Sequence, residues 1–161
     1  MTRDLEKAKE WVKSNAKGSE RYGLLASSEG KRLRAEGIWV PKDINHVAWF
    51  LNDKECVNSS YYLEVPASEF KIQGLEVDYA ILAWDADYRY ENGKFTYHKF
   101  RNKWNNVKEK YSRRYMKNAY RVLLTRARQG LIIMYQKGTK KIALLYRHST
   151  TKHIDIYTQL V

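Results

Sequence analysis

The side chain best suited to chemistry in this sequence is an arginine among apolar residues. If residues 119–128 form a helix, a rotation of about 100° per residue places Arg126 in the middle of the apolar face. A guanidinium stays charged at ordinary pH, so one that faces inward needs a carboxylate, a phosphate or an interface. The structural alternative to a phosphate contact is a buried ion pair with Glu76 or Asp78.

A second group of polar residues follows the first predicted strand. Ser27 and Ser28 come directly after this strand, and Lys31 and Arg32 begin a basic stretch. Backbone amides at the start of a helix can hold a phosphate of a nucleic-acid backbone. Ordinary helix capping explains the two serines almost as well.

The elements that position these residues indicate an α/β fold, in which strands alternate with helical segments. The pattern predicts an amphipathic helix from Leu5 to Ser14 with Asp4 as its cap, and the helix 119–128 ends at Gln129-Gly130. The predicted strands are residues 22–26, 61–65, 77–84 and 131–135. Strand 77–84 is apolar almost throughout, which is typical of parallel strands that are covered on both faces.

A polar and aromatic insertion at about 86–117 interrupts this pattern. Its Glu91-Asn92-Gly93-Lys94 centre predicts a tight hairpin turn. In and just before the insertion, six aromatic residues interleave with five basic residues, which suits the stacking of bases beside a phosphate track. The alternative is that these rings pack the hairpin against the domain. Asp85 and Asp87 follow a buried strand, but turns favour Asp in any case, so we predict no metal site. The rings and cations are Trp84, Tyr88, Tyr90, Phe95, Tyr97, Trp104, Arg89, Lys94, Lys99, Arg101 and Lys103.

Composition limits the partners. The 161 residues suit one domain, and 30 Lys and Arg against 18 Asp and Glu give a net charge of +12, which favours an anionic partner. No apolar run approaches the ~18 residues that span a bilayer, and the N-terminus has charges where a signal peptide has its apolar core. We expect a cytoplasmic protein without a membrane partner. The single Cys56 excludes an internal disulfide and a Cys-based zinc site.

Two segments carry a resemblance to known proteins. Residues 68–78, SEFKIQGLEVD, and residues 120–128, YRVLLTRAR, resemble the fifth and sixth motifs of superfamily 1 helicases. Together with residues 21–38 and 118–133, they resemble the C-terminal part of the Schlafen-group-3-like DNA/RNA helicase-domain family. A phosphate loop reads G-x-x-x-x-G-K-[ST]. The nearest candidate, Gly30-Lys31, has Leu25 at the position of the first Gly and Arg32 at the position of the Ser or Thr. We therefore expect that the N-terminal phosphate-loop domain is absent.

The resemblance implies a single RecA-like second motor domain over residues 1–161, with a parallel sheet and helices on both faces. It implies an arginine finger at Arg126 and nucleotide contacts at Gln73, Gly74, Glu76 and Arg128. The expected nucleic-acid contacts are Ser27, Ser28, Lys31, Arg32, Ser68 and Lys71. The implied partners are single-stranded DNA or RNA and a phosphate-loop ATPase domain. ATP and Mg²⁺ are then expected only in the complete two-domain motor, and a homodimer that buries the cleft face is compatible with this arrangement.

Three alternatives stay open at this point. A non-catalytic nucleic-acid-binding module needs only the basic and aromatic surface. A remnant of a truncated helicase gene would carry the same motifs without a present function. Asp53 followed by Glu69-Phe70-Lys71 loosely resembles the arrangement in a metal-dependent nuclease, in which two carboxylates hold Mg²⁺ and a lysine steadies the attack.

Overall fold

A three-stranded parallel sheet lies at the centre of the fold. The computed structural model describes residues 1–91 and 93–136. The parallel strands are β1 (Tyr22–Ala26), β2 (Val77–Trp84) and β6 (Ala127–Tyr135), in the order β1-β2-β6. A separate antiparallel sheet has the order β3-β4-β5 and consists of β3 (Tyr88–Glu91), β4 (Lys94–Arg101) and β5 (Lys103–Asn106). The helices are α1 (Leu5–Asn15), α2 (His46–Leu51) and α3 (Lys110–Leu124). The predicted α/β class is confirmed.

Both faces of the parallel sheet are buried. Successive side chains of β2 point to opposite faces, and almost all of them are buried. On one face Leu82 packs in a cluster with Leu123 of α3. On the other face Ile81 packs in a second cluster with Val12 of α1. Each buried aliphatic side chain of this size contributes roughly 1.5–3 kcal/mol to folding. The two clusters therefore fix α1 and α3 on opposite sides of the sheet.

The first helix begins where the sequence predicts. Asp4 caps α1, and its carboxylate accepts hydrogen bonds from the backbone N–H groups of Glu6 (3.0 Å) and Lys7 (3.3 Å). These bonds satisfy two of the N–H groups that have no partner within a helix. In the part of the chain that the structure describes, none of the helices has the length and apolar character needed to span a membrane.

The helix predicted over residues 119–128 is wrong at both ends. Helix α3 begins nine residues earlier, after Glu109, whose carboxylate accepts hydrogen bonds from the N–H groups of Tyr111 and Ser112. It ends at Leu124, and Ala127 already belongs to β6, where it pairs with Val77. Pairing with β2 outweighs the local helical pattern, because it satisfies backbone groups that a continued helix would leave outside the sheet.

The strand predicted over residues 61–65 is also wrong. A 3₁₀ helix covers Ser60–Tyr62, and Leu63 follows with a positive φ of 60° that ends any extended run. The apolar pattern reflects the burial of Tyr61 rather than a strand. The hydroxyl of Tyr61 donates to the carbonyl of Ser19 (3.1 Å). The chain pairs with β1 only later, through a single parallel bridge between Leu25 and Ala67.

The insertion forms the antiparallel sheet β3-β4-β5. Glu91 pairs with Lys94, so the predicted hairpin is present, and Gly93 adopts a positive φ of 81°. Asn92 lies outside the described residues. The sheet ends at Asn106, and residues from Lys110 onward, which the sequence places in the insertion, form the first part of α3.

Gly130 lies inside β6 rather than at the end of a helix. A β-bulge shifts the register here, since Val77 pairs with Ala127 and Tyr79 with Gly130. A Cβ atom at Gly130 would lie 2.8 Å from ring atoms of both Trp11 and Tyr79. These two rings pack edge to face, with centroids 5.9 Å apart. The position therefore requires glycine because the rings leave no space.

We expect Gly130→Ala to lower the free energy of unfolding by about 1–3 kcal/mol through overpacking. Chemical denaturation monitored by circular dichroism measures this change. In a Trp11→Leu background, which removes one of the two rings, the same substitution should be less destabilising. An equal effect in both backgrounds would show that ring crowding is not the cause.

Candidate functional site

Pairing of β2 with β6 brings the two motif segments together. The N–H of Val77 donates to the carbonyl of Arg126 (3.0 Å), and Val77 pairs with Ala127. Glu76 and Arg126 therefore precede neighbouring parallel strands at the same edge of the sheet. We call this edge, where β2 and β6 begin, the amino edge.

Arg126 lies in the turn between α3 and β6 and is half-buried. Its Nε donates to the carbonyl of Val122 (3.2 Å), and its Nη2 donates to the Thr125 hydroxyl (3.2 Å). These bonds hold the guanidinium against the last turn of the helix. Within residues 1–91 and 93–136, no carboxylate forms a salt bridge with it. The positive charge is thus positioned without a neutralising partner among these residues.

Arg128 forms the ion pair that the structural alternative assigns to Arg126. Its Nη2 lies 2.7 Å from Oδ1 of Asp78, a buried residue that also accepts from the backbone N–H of Arg21 (2.7 Å). Burial raises the pKa of Asp78, but the hydrogen bonds from Arg21, Gln129 and Arg128 outweigh it, and the net pKa is lowered. Arg128 still exposes 58% of its side chain, so one face of the guanidinium is in solvent.

The turn before β2 presents exposed polar groups at the amino edge. Gln73, Gly74 and Glu76 are all exposed, whereas Ile72 is fully buried in the core and anchors the turn. Gly74 has a φ of 84°, and a Cβ there would meet no atom within 4 Å. The backbone conformation rather than crowding therefore favours glycine at this position. The turn leaves open space beside its backbone at Gly74.

The predicted nucleic-acid contacts lie at the opposite edge, where β1 and β2 end. Ser27 and Ser68 are buried, so their side chains do not reach the surface. Lys31 and Arg32 are exposed at the start of a 3₁₀ helix, Lys31–Glu36, which covers the basic stretch noted in the sequence. We call this second edge the carboxyl edge. Parallel strands separate their starts from their ends, so the candidate residues form two groups rather than one continuous patch.

A carboxylate occupies the place that the sequence assigns to a phosphate at Ser28. Glu69 accepts from the Ser28 N–H (2.9 Å), the Ser28 hydroxyl (2.6 Å) and the Tyr115 hydroxyl (2.5 Å). Glu69 is buried, and these three donors compensate the loss of water around its charge. Sequence reasoning missed this network, because its members come from three separated segments.

The nuclease alternative gains no support from these contacts. Glu69 is committed to Ser28 and Tyr115, and the Nζ of Lys71 lies 2.5 Å from Oδ1 of Asp43. Asp53 is exposed on the surface. Among the described residues, no three His, Cys, Asp or Glu side chains are grouped so as to hold a metal ion.

Two buried carboxylates lie behind the carboxyl edge. Burial raises the pKa of Asp85 to about 6 and raises the pKa of Asp87 well above its usual range, with the neighbouring Asp85 charge adding to the shift of Asp87. Oδ1 of Asp87 accepts from the Tyr120 hydroxyl (2.6 Å), whereas its Oδ2 is buried without a hydrogen-bond partner in the described structure. Both carboxyls lie between the end of β2 and the start of β3 in the antiparallel sheet.

Comparison with known proteins places these features in a family. No curated protein and no solved structure matches the chain. The family model for Schlafen group 3, DNA/RNA helicase domain, matches residues 1–137, which is most of the 161-residue sequence. The matched region includes both motif segments and both edges of the parallel sheet. The chain therefore belongs to the Schlafen group 3, DNA/RNA helicase domain family.

Proposed function

We propose that this domain is the RecA-like second motor domain of a superfamily 1-like helicase, in which Arg126 acts as the arginine finger. One observation carries the proposal: strand pairing places Arg126 beside Glu76 at the amino edge, and no described carboxylate neutralises its guanidinium. The family match supports a helicase-like function related to nucleic acid. The ATP is held by a phosphate-loop domain outside these 161 residues.

The amino edge provides what phosphoryl transfer requires from a second domain. In the complete motor, the phosphate-loop domain would hold the nucleotide, with Mg²⁺ neutralising part of its charge. Arg126 then faces the terminal phosphate across the cleft and stabilises the charge that develops in the transition state. The exposed Glu76 and the Gln73-Gly74 turn lie on the same edge. There Glu76 contacts the sugar of the nucleotide, and the turn contacts the nucleotide or the nucleic-acid strand. Arg128 adds positive charge without leaving Asp78.

The carboxyl edge provides the contact with the nucleic acid. Lys31 and Arg32 are exposed there, and Ser28 lies beside them with its N–H and hydroxyl bonded to Glu69. The net charge of +12 favours binding to a phosphate backbone. In this proposal the two functions use opposite edges of one parallel sheet, and closure on the nucleotide at the amino edge moves the strand contacts at the carboxyl edge.

The test combines this chain with the phosphate-loop domain of a longer Schlafen group 3 protein. We expect ATP turnover to rise when single-stranded oligonucleotide is added to the pair, and to stay at background with either domain alone. Absence of any rise with the pair, together with strand binding that does not respond to ATP, would contradict the motor role. That result would instead support a non-catalytic nucleic-acid-binding module, for which the basic surface suffices.

A further inference from the structure

The antiparallel sheet has two chemically different faces. Tyr88 pairs with Tyr97, and its ring stacks on Trp84, with centroids 5.9 Å apart. That face belongs to the hydrophobic core. Phe100 pairs with Trp104, and neighbouring positions along a strand alternate between faces, so these two rings lie on the outer face together with Arg89. The aromatic residues of the insertion therefore divide into a packing set and an outer set.

The outer face carries two cation–ring pairs whose rings contact each other edge to face. The Arg32 guanidinium lies 5.0 Å from the centroid of Phe100, and the Phe100 and Trp104 rings are 5.3 Å apart. Arg89 completes the series, 4.3 Å above Trp104. We call these four residues the arginine–aromatic ladder. Phe100 and Trp104 are half-buried, so each ring retains contact with solvent.

The ladder continues the carboxyl edge onto the insertion. The backbone N–H of Arg32 donates to Oδ2 of Asp85 at the end of β2 (3.4 Å), which fixes the 3₁₀ helix against the sheet. Lys31 precedes it on the surface, next to Ser28 and Glu29. A single path therefore runs from the phosphate contacts proposed above to the outer face of the antiparallel sheet.

The charge of this face favours an anionic ligand. Arg32, Arg89 and Lys94 contribute three positive charges. Glu91, at 3.7 Å from Arg89, and the buried Asp85, which accepts from the Arg32 N–H, oppose them. A guanidinium stacked on a ring still presents N–H groups at its edge, so it can contact a phosphate while it supports the ring. Rings flanked by such cations combine a stacking platform with phosphate neutralisation, as in sites for single strands.

We propose that the arginine–aromatic ladder binds single-stranded nucleic acid, with a base stacked on Phe100 or Trp104 and adjacent phosphates contacted by Arg32 and Arg89. This inference rests on the proposed function, since it extends the strand path of the motor. Duplex is a poor ligand, because its bases are paired and stacked on one another. Stacking reads the face of a base, so the ladder binds with little sequence preference.

The test measures fluorescence anisotropy of labelled oligothymidine and oligouridine with the full chain at two salt concentrations. We expect Phe100→Leu and Trp104→Leu each to weaken binding about ten-fold, with little change in salt dependence, because a stacking contact is lost. Arg32→Met should reduce the slope of log affinity against log salt by about one, because one phosphate contact is lost. Tyr111→Leu is the matched control, an aromatic side chain 78% exposed on α3, and should bind like wild type.

The outcomes separate the two proposals. If the wild-type chain binds the strand and both ring variants bind it equally well, the ladder proposal is overturned and the motor role is unaffected. An acidic protein would then be the better ligand for this face. Absence of binding by the wild-type chain would contradict both. Thermal unfolding checks each variant, and photo-crosslinking of bromouracil strand to the wild-type chain serves as a second measurement. A crosslink within residues 94–106 supports the ladder, and crosslinks confined to other segments reject it.

Discussion

Arg126→Ala should reduce strand-stimulated ATP turnover of the two-domain assembly by ~10³-fold or more. Arginine fingers contribute about 10³ to 10⁵ in rate, because they stabilise charge that is present only in the transition state. Arg126→Lys should recover only part of the activity, since an ammonium lacks the planar fork of N–H donors. Steady-state phosphate release in the presence of excess oligonucleotide measures both effects.

The matched control is Arg114→Ala, which removes an exposed arginine from α3. It should leave turnover within a factor of two of wild type, and both variants should unfold at the same temperature as wild type. The finger assignment fails if Arg126→Ala retains most of the turnover, or if Arg114→Ala loses as much. Equal strand affinity in all three proteins would show that the loss lies in the chemical step.

The contribution of the buried Asp85 and Asp87 to the free energy of unfolding should fall as pH rises from about 4 to 7. Burial raises the pKa of both carboxyls in the folded state, to about 6 for Asp85, so the unfolded chain releases these protons first. Their contribution to stability is therefore greatest below the unfolded pKa of about 3.9 and declines as pH rises toward the folded pKa. For Asp85 alone, the difference between a folded pKa of about 6 and an unfolded pKa of about 3.9 corresponds to about 2–3 kcal/mol of stability. Urea denaturation at several pH values measures the decline.

Asp87→Asn should flatten this decline and raise the free energy of unfolding at neutral pH, because an amide keeps an acceptor for the Tyr120 hydroxyl without a buried charge. Asp78→Asn is the control with the opposite sign. The pKa of Asp78 is lowered, so its contribution is present above the unfolded pKa and is lost as pH falls. Destabilisation by Asp87→Asn at pH 7 as large as that by Asp78→Asn would contradict this prediction.

The strands β1 and β2 could be predicted from the sequence to the residue. Both are short apolar runs between polar turns, and a parallel strand that is buried on both faces requires this pattern. The Asp4 cap was equally accessible, because capping depends on neighbours two and three residues away. Local chemistry determined these features, so local reasoning found them.

The boundary between α3 and β6 could not be predicted in the same way. The apolar periodicity continues to Ala127. However, Ala127 pairs with Val77, which is distant in the sequence, so this backbone joins the sheet instead of continuing the helix. As a result, Arg126 leaves a predicted helix and enters a turn, where its guanidinium caps the end of α3 instead of lying along it. The contact with the last helical turn depends on strand pairing that periodicity does not report.

The candidate site was predictable only in part for the same reason. Family-like spacing identified Glu76 and Arg126, and the structure brings their backbones together. The spacing of the motifs did not reveal that the Ser28 hydroxyl donates to Glu69, because this hydrogen bond joins two segments that are far apart in the sequence. Nor could it divide the insertion into inner and outer faces, because the division depends on the register of β4 with β3 and β5.

The most direct test of the role of Arg126 is the affinity of the two-domain assembly for ADP with aluminium fluoride, compared with its affinity for ADP alone. Transition-state analogues bind at least ~10²-fold more tightly when the catalytic groups contact them. We predict that the wild-type assembly shows this preference and that Arg126→Ala loses most of it while it binds ADP normally. A preference that persists unchanged in Arg126→Ala would contradict the proposal that this domain supplies the arginine finger.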